Sequence, residues 1–148
     1  MAVRFPVTDL MVRSRYAGGV RGIKLEPDDK VVSMDVVLQG AQLLVISQNG
    51  FGKLTPIQAY RRTARGAKGV RTLRITDKTG PVAAAHLILD VTEVMLVSSK
   101  GIIIRMPLSD IPVKGRYTQG VWMMRPSGND YVITVASMKN GTGENKQD

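Results

Sequence analysis

The stretch "LTPIQAY", residues 54–60, decides how the chain reads, because it has two echoes: "RFPVTDL" at 4–10 and "RMPLSDI" at 105–111. Outward from Pro6, Pro56 and Pro107, further residues recur in one register. Arg15, Arg65 and Arg116 come first, then Gly19-Val20, Gly69-Val70 and Gly120-Val121. Lys24, Arg74 and Arg125 follow, then Val32, Val82 and Val132, every series stepping by 50 or 51 residues. A fixed period of this length marks stacked supersecondary units that share a core.

Within one unit, "QLLVIS" (42–47) is a short apolar run rich in β-branched residues, and "QNGFG" supplies a turn at Asn49-Gly50. A second strand is expected to reach Thr55 and end at Pro56, which has no N–H to donate to a ladder. A loop follows, then "VRTLRIT" (70–76), whose apolar–polar alternation predicts a half-buried strand. "DKTG" turns the chain into a fourth strand, "PVAAAHLIL" (81–89), and the third unit repeats the plan through "EVMLVSS", "IIIRM", "VWMMR" and "YVITVASM". No window carries a helical period. The expectation is an all-β, propeller-like fold of about three four-stranded blades, at about 1–40, 41–91 and 92–138. The first blade is incomplete: Met1 aligns with Phe51 and Ile102, so nothing corresponds to the strand at 42–47. Because propellers close with 4–8 blades, the chain reads as a piece of a longer protein. Residues 139–148, "KNGTGENKQD", read as a polar disordered tail.

The 148 residues carry 21 Lys and Arg against 12 Asp and Glu, a formal charge of +9. That excess suits an acidic partner, and it is uneven. Residues 41–91 hold eight basic side chains and two acidic ones, whereas 1–40 hold six and five. The densest stretch is "YRRTARGAKGV" (60–70), with Arg61, Arg62, Arg65 and Lys68 and no acid. With no cysteine there is no disulfide framework and no thiolate chemistry. No apolar run approaches the roughly 18–20 residues of a membrane helix, and the N-terminus lacks a signal-peptide core. A cytoplasmic protein is expected, with no membrane and no small-molecule substrate.

At "GGVRGIKLEPDDKVVSMDVV", "YRRTARGAKGVRTLRITDKTGPV" and "GIIIRMPLSDIPVKGRYTQGV" the chain resembles successive blades of the C-terminal domain of the DNA gyrase A subunit. The related domain of topoisomerase IV is the second match. The resemblance spans residues 2–138. It implies a β-pinwheel, a disc of about six blades in the full domain, that binds double-stranded DNA on a basic rim and bends it. It also implies, as partners, the gyrase B subunit together with the rest of the gyrase A subunit, which supply the ATPase and the cleavage tyrosine for negative supercoiling. The chain itself would be non-catalytic and need no cofactor. The family's box, Gln-Arg/Lys-Arg-Gly-Gly-Arg/Lys-Gly, aligns with "TARGAKG" (63–69), where Arg65, Gly66, Lys68 and Gly69 match and Thr63, Ala64 and Ala67 do not. The loops "RSRYAGG" and "KGRYTQG" keep Arg15 with Gly19 and Arg116 with Gly120.

The candidate DNA-binding residues are therefore Arg61, Arg62, Arg65, Lys68, Arg15 and Arg116, then Arg13, Lys114, Arg71 and Arg74. Arginine and lysine neutralise phosphates and release counterions, which gives salt-dependent affinity with little base preference. The competing reading is a solvated basic surface, or a propeller that binds protein. Lys24, Arg74 and Arg125 are expected on strands as secondary contacts. The Gly-Val pairs are read as architectural, with a special backbone angle at glycine and an inward valine. Tyr16, Tyr60 and Tyr117 are expected to pack, since intact duplex offers no free base face. Trp122, Met123 and Met124 fit a blade core. His86 reads as an ordinary strand residue, "EPDD" (26–29) as a turn, and "NGFGKLT" lacks the spacing of a phosphate loop.

Overall fold

The computed structural model describes residues 1–139; all but the first residue of the predicted disordered tail lies outside them. Among the described residues there are seven strands: β1 (Gln42–Ser47), β2 (Phe51–Pro56), β3 (Val82–Ile88), β4 (Glu93–Ser98), β5 (Ile103–Pro107), β6 (Val121–Trp122) and β7 (Val132–Met138). Each of Pro6, Pro56 and Pro107 leads directly into a three-residue 3-10 turn, Val7–Asp9, Ile57–Ala59 and Leu108–Asp110. Proline's fixed φ suits the entry to such a turn, so the stretch that set the period marks one structural corner in every unit.

The strands form two antiparallel sheets, β3-β1-β2-β6 and β5-β4-β7. In both complete units the last strand returns to the first. Ser47 pairs with Val82 across a register shift in one, and Ser98 with Val132 across the same shift in the other. The intervening tight turns are alike too. Ser47 and Ser98 accept, through Oγ, the backbone N–H of Phe51 and Ile102, each at 3.1 Å. The core lies between the two sheets, with Leu44, Ile46, Leu54, Ala84 and Ile88 against Val94, Leu96, Val132 and Val135, closed by Ile111, Met123 and Met124.

Two expectations about strands are corrected. "VRTLRIT" is not a strand of its own unit: only Val70 bridges, and its partner is Ala2 of the preceding unit. Likewise β6 belongs to the third unit but adds to β2 of the second, with Val121 opposite Gly52 and Trp122 opposite Phe51. The fourth strand of a blade is thus donated by the next repeat, and it is short because the chain touches its neighbour and turns away. The second correction concerns 31–38, which aligns with β3 and β7 yet forms no strand. β3 is held by β1 and β7 by β4, and no described segment plays that part for the first unit. Val31, Val32, Met34 and Val36 are accordingly exposed.

Candidate nucleic-acid interface

The loops carrying the candidate residues are fixed by a joint that recurs between units. Each loop returns from its 3-10 turn and hydrogen-bonds to the backbone just before the proline of the preceding unit: Thr63 N–H donates to the Arg4 carbonyl and Lys114 N–H to the Leu54 carbonyl, both at 2.8 Å. Next, the loop carbonyls of Ala67 and Thr118 accept from Lys24 N–H at 3.0 Å and Arg74 N–H at 3.2 Å. Finally Gly69 and Gly120, at φ of 85° and 78°, press against the neighbouring backbone. A Cβ there would lie 2.3 Å from the Ala2 oxygen and 2.4 Å from the Gly52 oxygen, so no other residue fits. The special angle expected at the Gly-Val pairs is present at Gly69 and Gly120 but not at Gly19; the inward valine is not found, since Val20 and Val121 are more than a third exposed and Val70 is only half-buried.

The recurring arginines belong to this joint. Arg65 Nη1 donates to the Arg21 carbonyl at 2.7 Å, and Arg116 Nη1 to the Arg71 carbonyl at 2.6 Å. Both side chains are half-buried. Their recurrence thus has a structural cause that sequence reasoning missed: a planar guanidinium spans two units through a backbone acceptor. Arg15, in the unit with no predecessor among the described residues, is exposed and instead donates to the Tyr16 hydroxyl at 2.6 Å.

The joint also gathers cations. At the second–third joint, Arg71 stacks over the Tyr117 ring at 5.0 Å and donates to its hydroxyl at 3.0 Å, with Arg116 on the Arg71 carbonyl and Arg74 bonded to the same loop. Lys114 stands exposed beside Thr55, whose hydroxyl donates to its carbonyl at 3.0 Å. At the first–second joint Arg65 meets Arg21, but Lys68 is paired: its Nζ lies 2.5 Å from Glu26 Oε1, both side chains more than half exposed. That hydrogen bond and charge raise the Lys68 pKa. Arg61 and Arg62 follow the second 3-10 turn and are exposed, Arg62 sharing a concavity with Arg4. Arg13 is exposed in the first unit. The ten candidates therefore do not converge on one pocket. They lie along three successive loops, eight of them in the loops of the two described joints and Arg13 and Arg15 in the first unit's loop.

Of the tyrosines, only Tyr60 packs as expected: it is 2% exposed, its hydroxyl 2.5 Å from Thr72 Oγ1, and burial raises its pKa. Tyr16 and Tyr117 are exposed and serve as platforms for Arg15 and Arg71. Trp122 is 41% exposed and stacks on Phe51, with ring centroids 3.9 Å apart, while Arg125 lies over its outer side. Placing it in the core was wrong because β6 lies at a sheet edge; Met123 and Met124 are buried as expected. His86 is half-buried on β3 opposite Leu44, and "EPDD" turns through Asp29 N–H to the Glu26 carbonyl. Among the described residues no three metal-ligating side chains cluster, and no helix is long and apolar enough to cross a membrane.

One basic residue escaped the sequence reading. Lys53 on β2 is fully buried, with Nζ donating to the carbonyls of Gly115 and Arg116, each at 2.6 Å, and to Thr118 Oγ1 at 3.2 Å. The available signal was a lysine alternating with Phe51 and Thr55 on one strand, on the face those residues bury.

Comparison with known proteins agrees with this architecture. The sequence model of the family described as "DNA gyrase C-terminal domain, beta-propeller" matches residues 1–38, 41–88 and 92–137. The chain is 43% identical over 143 residues to the DNA gyrase A subunit of Dehalogenimonas lykanthroporepellens and 42% identical over 142 residues to that of Thermotoga maritima. The alignments cover 93% and 95% of this chain but 18% of each relative, so the chain spans about a fifth of their length. A solved gyrase A C-terminal domain superposes with a TM-score of 0.80 at 27% identity, covering 88% of this chain and 44% of that one. A topoisomerase IV C-terminal domain has a TM-score of 0.83 at 23% identity, covering 91% and 42%, a likeness of fold.

Proposed function

The chain belongs to the DNA gyrase C-terminal domain family, and from that premise we propose that it is a non-catalytic element that holds and bends duplex DNA within a bacterial type II topoisomerase. The observation that carries this reading is the repeated joint. By docking each loop on the unit before it, the fold sets the cations of successive units side by side: Arg65 against Arg21, then Arg116 against Arg71. A duplex laid across consecutive loops would meet positive charge from each unit in turn. Such contacts read backbone and shape and carry little base specificity. The gyrase B subunit would supply ATP hydrolysis, with strand cleavage coming from the rest of the gyrase A subunit, in the cytoplasm at the nucleoid. The relatives' name, which is that of gyrase, favours gyrase over topoisomerase IV as the parent.

The exposed candidates Arg61, Arg62, Arg13, Lys114 and Arg74 would be the principal phosphate ligands. Arg65, Arg116 and Arg71 would contribute the N–H groups that the joint leaves over, and Arg15 the face not stacked on Tyr16. Lys68 would have to exchange Glu26 for phosphate. The test is duplex binding against salt concentration. Replacing Arg61, Arg62, Lys68 and Lys114 by alanine should weaken binding and flatten the slope of log K against log salt by roughly 0.9 for each lost phosphate contact. Retention on a protein partner with no retention on duplex at low salt would overturn the reading in favour of a protein-binding propeller.

A further inference from the structure

We propose that Lys53 is the positioning residue of the third unit's loop, its ammonium fixing the backbone at 115–118 so that Lys114 and Arg116 are presented beside Arg71. The proposal rests on the DNA-binding reading above for what the loop does, but not for how the loop is held.

The geometry is specific. An ammonium has three N–H donors and no acceptor, and all three of Lys53's donors are used: Gly115 O, Arg116 O and Thr118 Oγ1. The same Thr118 hydroxyl donates to Gly115 O at 2.9 Å, so the loop is gathered around the charge. Flanking bonds run from Lys114 N–H to Leu54 O and from Thr55 Oγ1 to Lys114 O. The aligned positions in the other units are Val3 and Ile104, so among the described joints this clamp exists once. It holds a loop with two matches to the family's box, against four in the second unit's loop.

Nothing acidic balances it: no carboxylate among the described residues pairs with Lys53. The charged group that acts on it is Arg116 on the loop it clamps; Lys114, next to Gly115, is that loop's other cation. Burial, and next the Arg116 guanidinium, hold the Lys53 pKa down at about 8. The neutral amine has one donor fewer and a lone pair facing carbonyl oxygens, so deprotonation loosens the clamp. A phosphate at Lys114 or Arg116 has the opposite effect, since a nearby negative charge favours the ammonium.

The experiment compares the full chain with Lys53→Met and Lys53→Arg by duplex affinity at fixed salt from pH 7 to 9.5. Wild-type affinity should fall roughly tenfold, a usual size for coupling between sites. Lys53→Met should be weak already at pH 7 and flat with pH, while Lys53→Arg should recover affinity and lose the pH dependence. Identical pH profiles for wild type and Lys53→Met overturn the proposal. If no duplex binds at any pH, the DNA reading fails while the clamp is still decided, on wild-type protein, by amide exchange at Lys114 and Arg74, whose N–H groups bond Leu54 O and the loop's Thr118 O. Corrected for intrinsic base catalysis, that exchange must speed up with the midpoint at which the Lys53 side chain titrates by NMR. A loop indifferent to that titration overturns the proposal without any variant having to fold.

Discussion

At the residue scale, Lys68 shows how a basic side chain can be present and yet not free. Its ion pair with Glu26 is exposed on both sides, so solvent screens it and it contributes little to stability. It nevertheless stands where a phosphate would compete. Glu26→Gln should strengthen duplex binding by a few-fold at most and increase its salt dependence, because one more cation then exchanges counterions. Glu93→Gln, which frees Arg105 on β5 rather than a joint residue, should change neither; equal gains from both variants would mean a general charge effect. Asp130 makes a different use of charge. Burial alone would raise its pKa, but hydrogen bonds from Ser98, Ser99 and the backbone of Lys100 and Tyr131 outweigh that and hold it at about 2. The native pKa lies below the unfolded value of 3.8, so the stabilisation is complete at neutral pH. It is lost as pH falls through about 4 towards 2. Asp130→Asn should lower Tm at pH 7 and flatten its acid dependence in that window, measured by thermal unfolding at stepped pH.

At the scale of elements, one repeated glycine has two fates. Gly120→Ala sets a Cβ 2.4 Å from a backbone oxygen at φ 78° and should cost about 1–3 kcal/mol or more. Gly19 has nothing within 4 Å and no positive φ, so Gly19→Ala should stay within roughly 0.5 kcal/mol. Denaturant unfolding separates the two, and comparable losses would place the cost outside the joint. The same contrast explains what was legible beforehand. The strand at 42–47, the turn at Asn49-Gly50 and the prolines that end β2 and β5 were readable, since period-2 patterns and proline chemistry act within a few residues. "VRTLRIT" was misread because its alternation is local while its partner is Ala2 in another unit. Recurrence grouped Arg15, Arg65 and Arg116, yet only Arg65 and Arg116 reach a carbonyl of another unit, and a repeated joint and a repeated ligand leave the same trace. Only the acceptor carbonyls of Arg21 and Arg71 separate them. Lys53 left no periodic trace because it occurs in one unit.

At the scale of the whole molecule, strands are shared forward and backward along the chain. β6 completes the blade built on β2, and Val70 performs a shortened version of that act on Ala2. Within a unit, the last strand depends on the first. The cooperative body is therefore the second and third units, whose sheets meet across β3 and β7 and bury a common core. The first unit is attached through Ala2, the Arg4 side chain on the carbonyls of Ile57 and Tyr60 at 3.1 Å, and the loop bonds of the joint. Its segment 31–38 keeps the valines of a strand without a ladder to join. Amide exchange follows the free energy of local opening, so β1 and β4, each flanked by strands on both sides, should exchange slowest. β3 and β7 should remain protected, while residues 31–38 should exchange close to the unfolded rate despite occupying the same place in the repeat. Hydrogen exchange by mass spectrometry on the full chain resolves these peptides. Protection at 31–38 equal to that of β3 would show that a further strand pairs there, and the first unit would then have to be counted within the cooperative body.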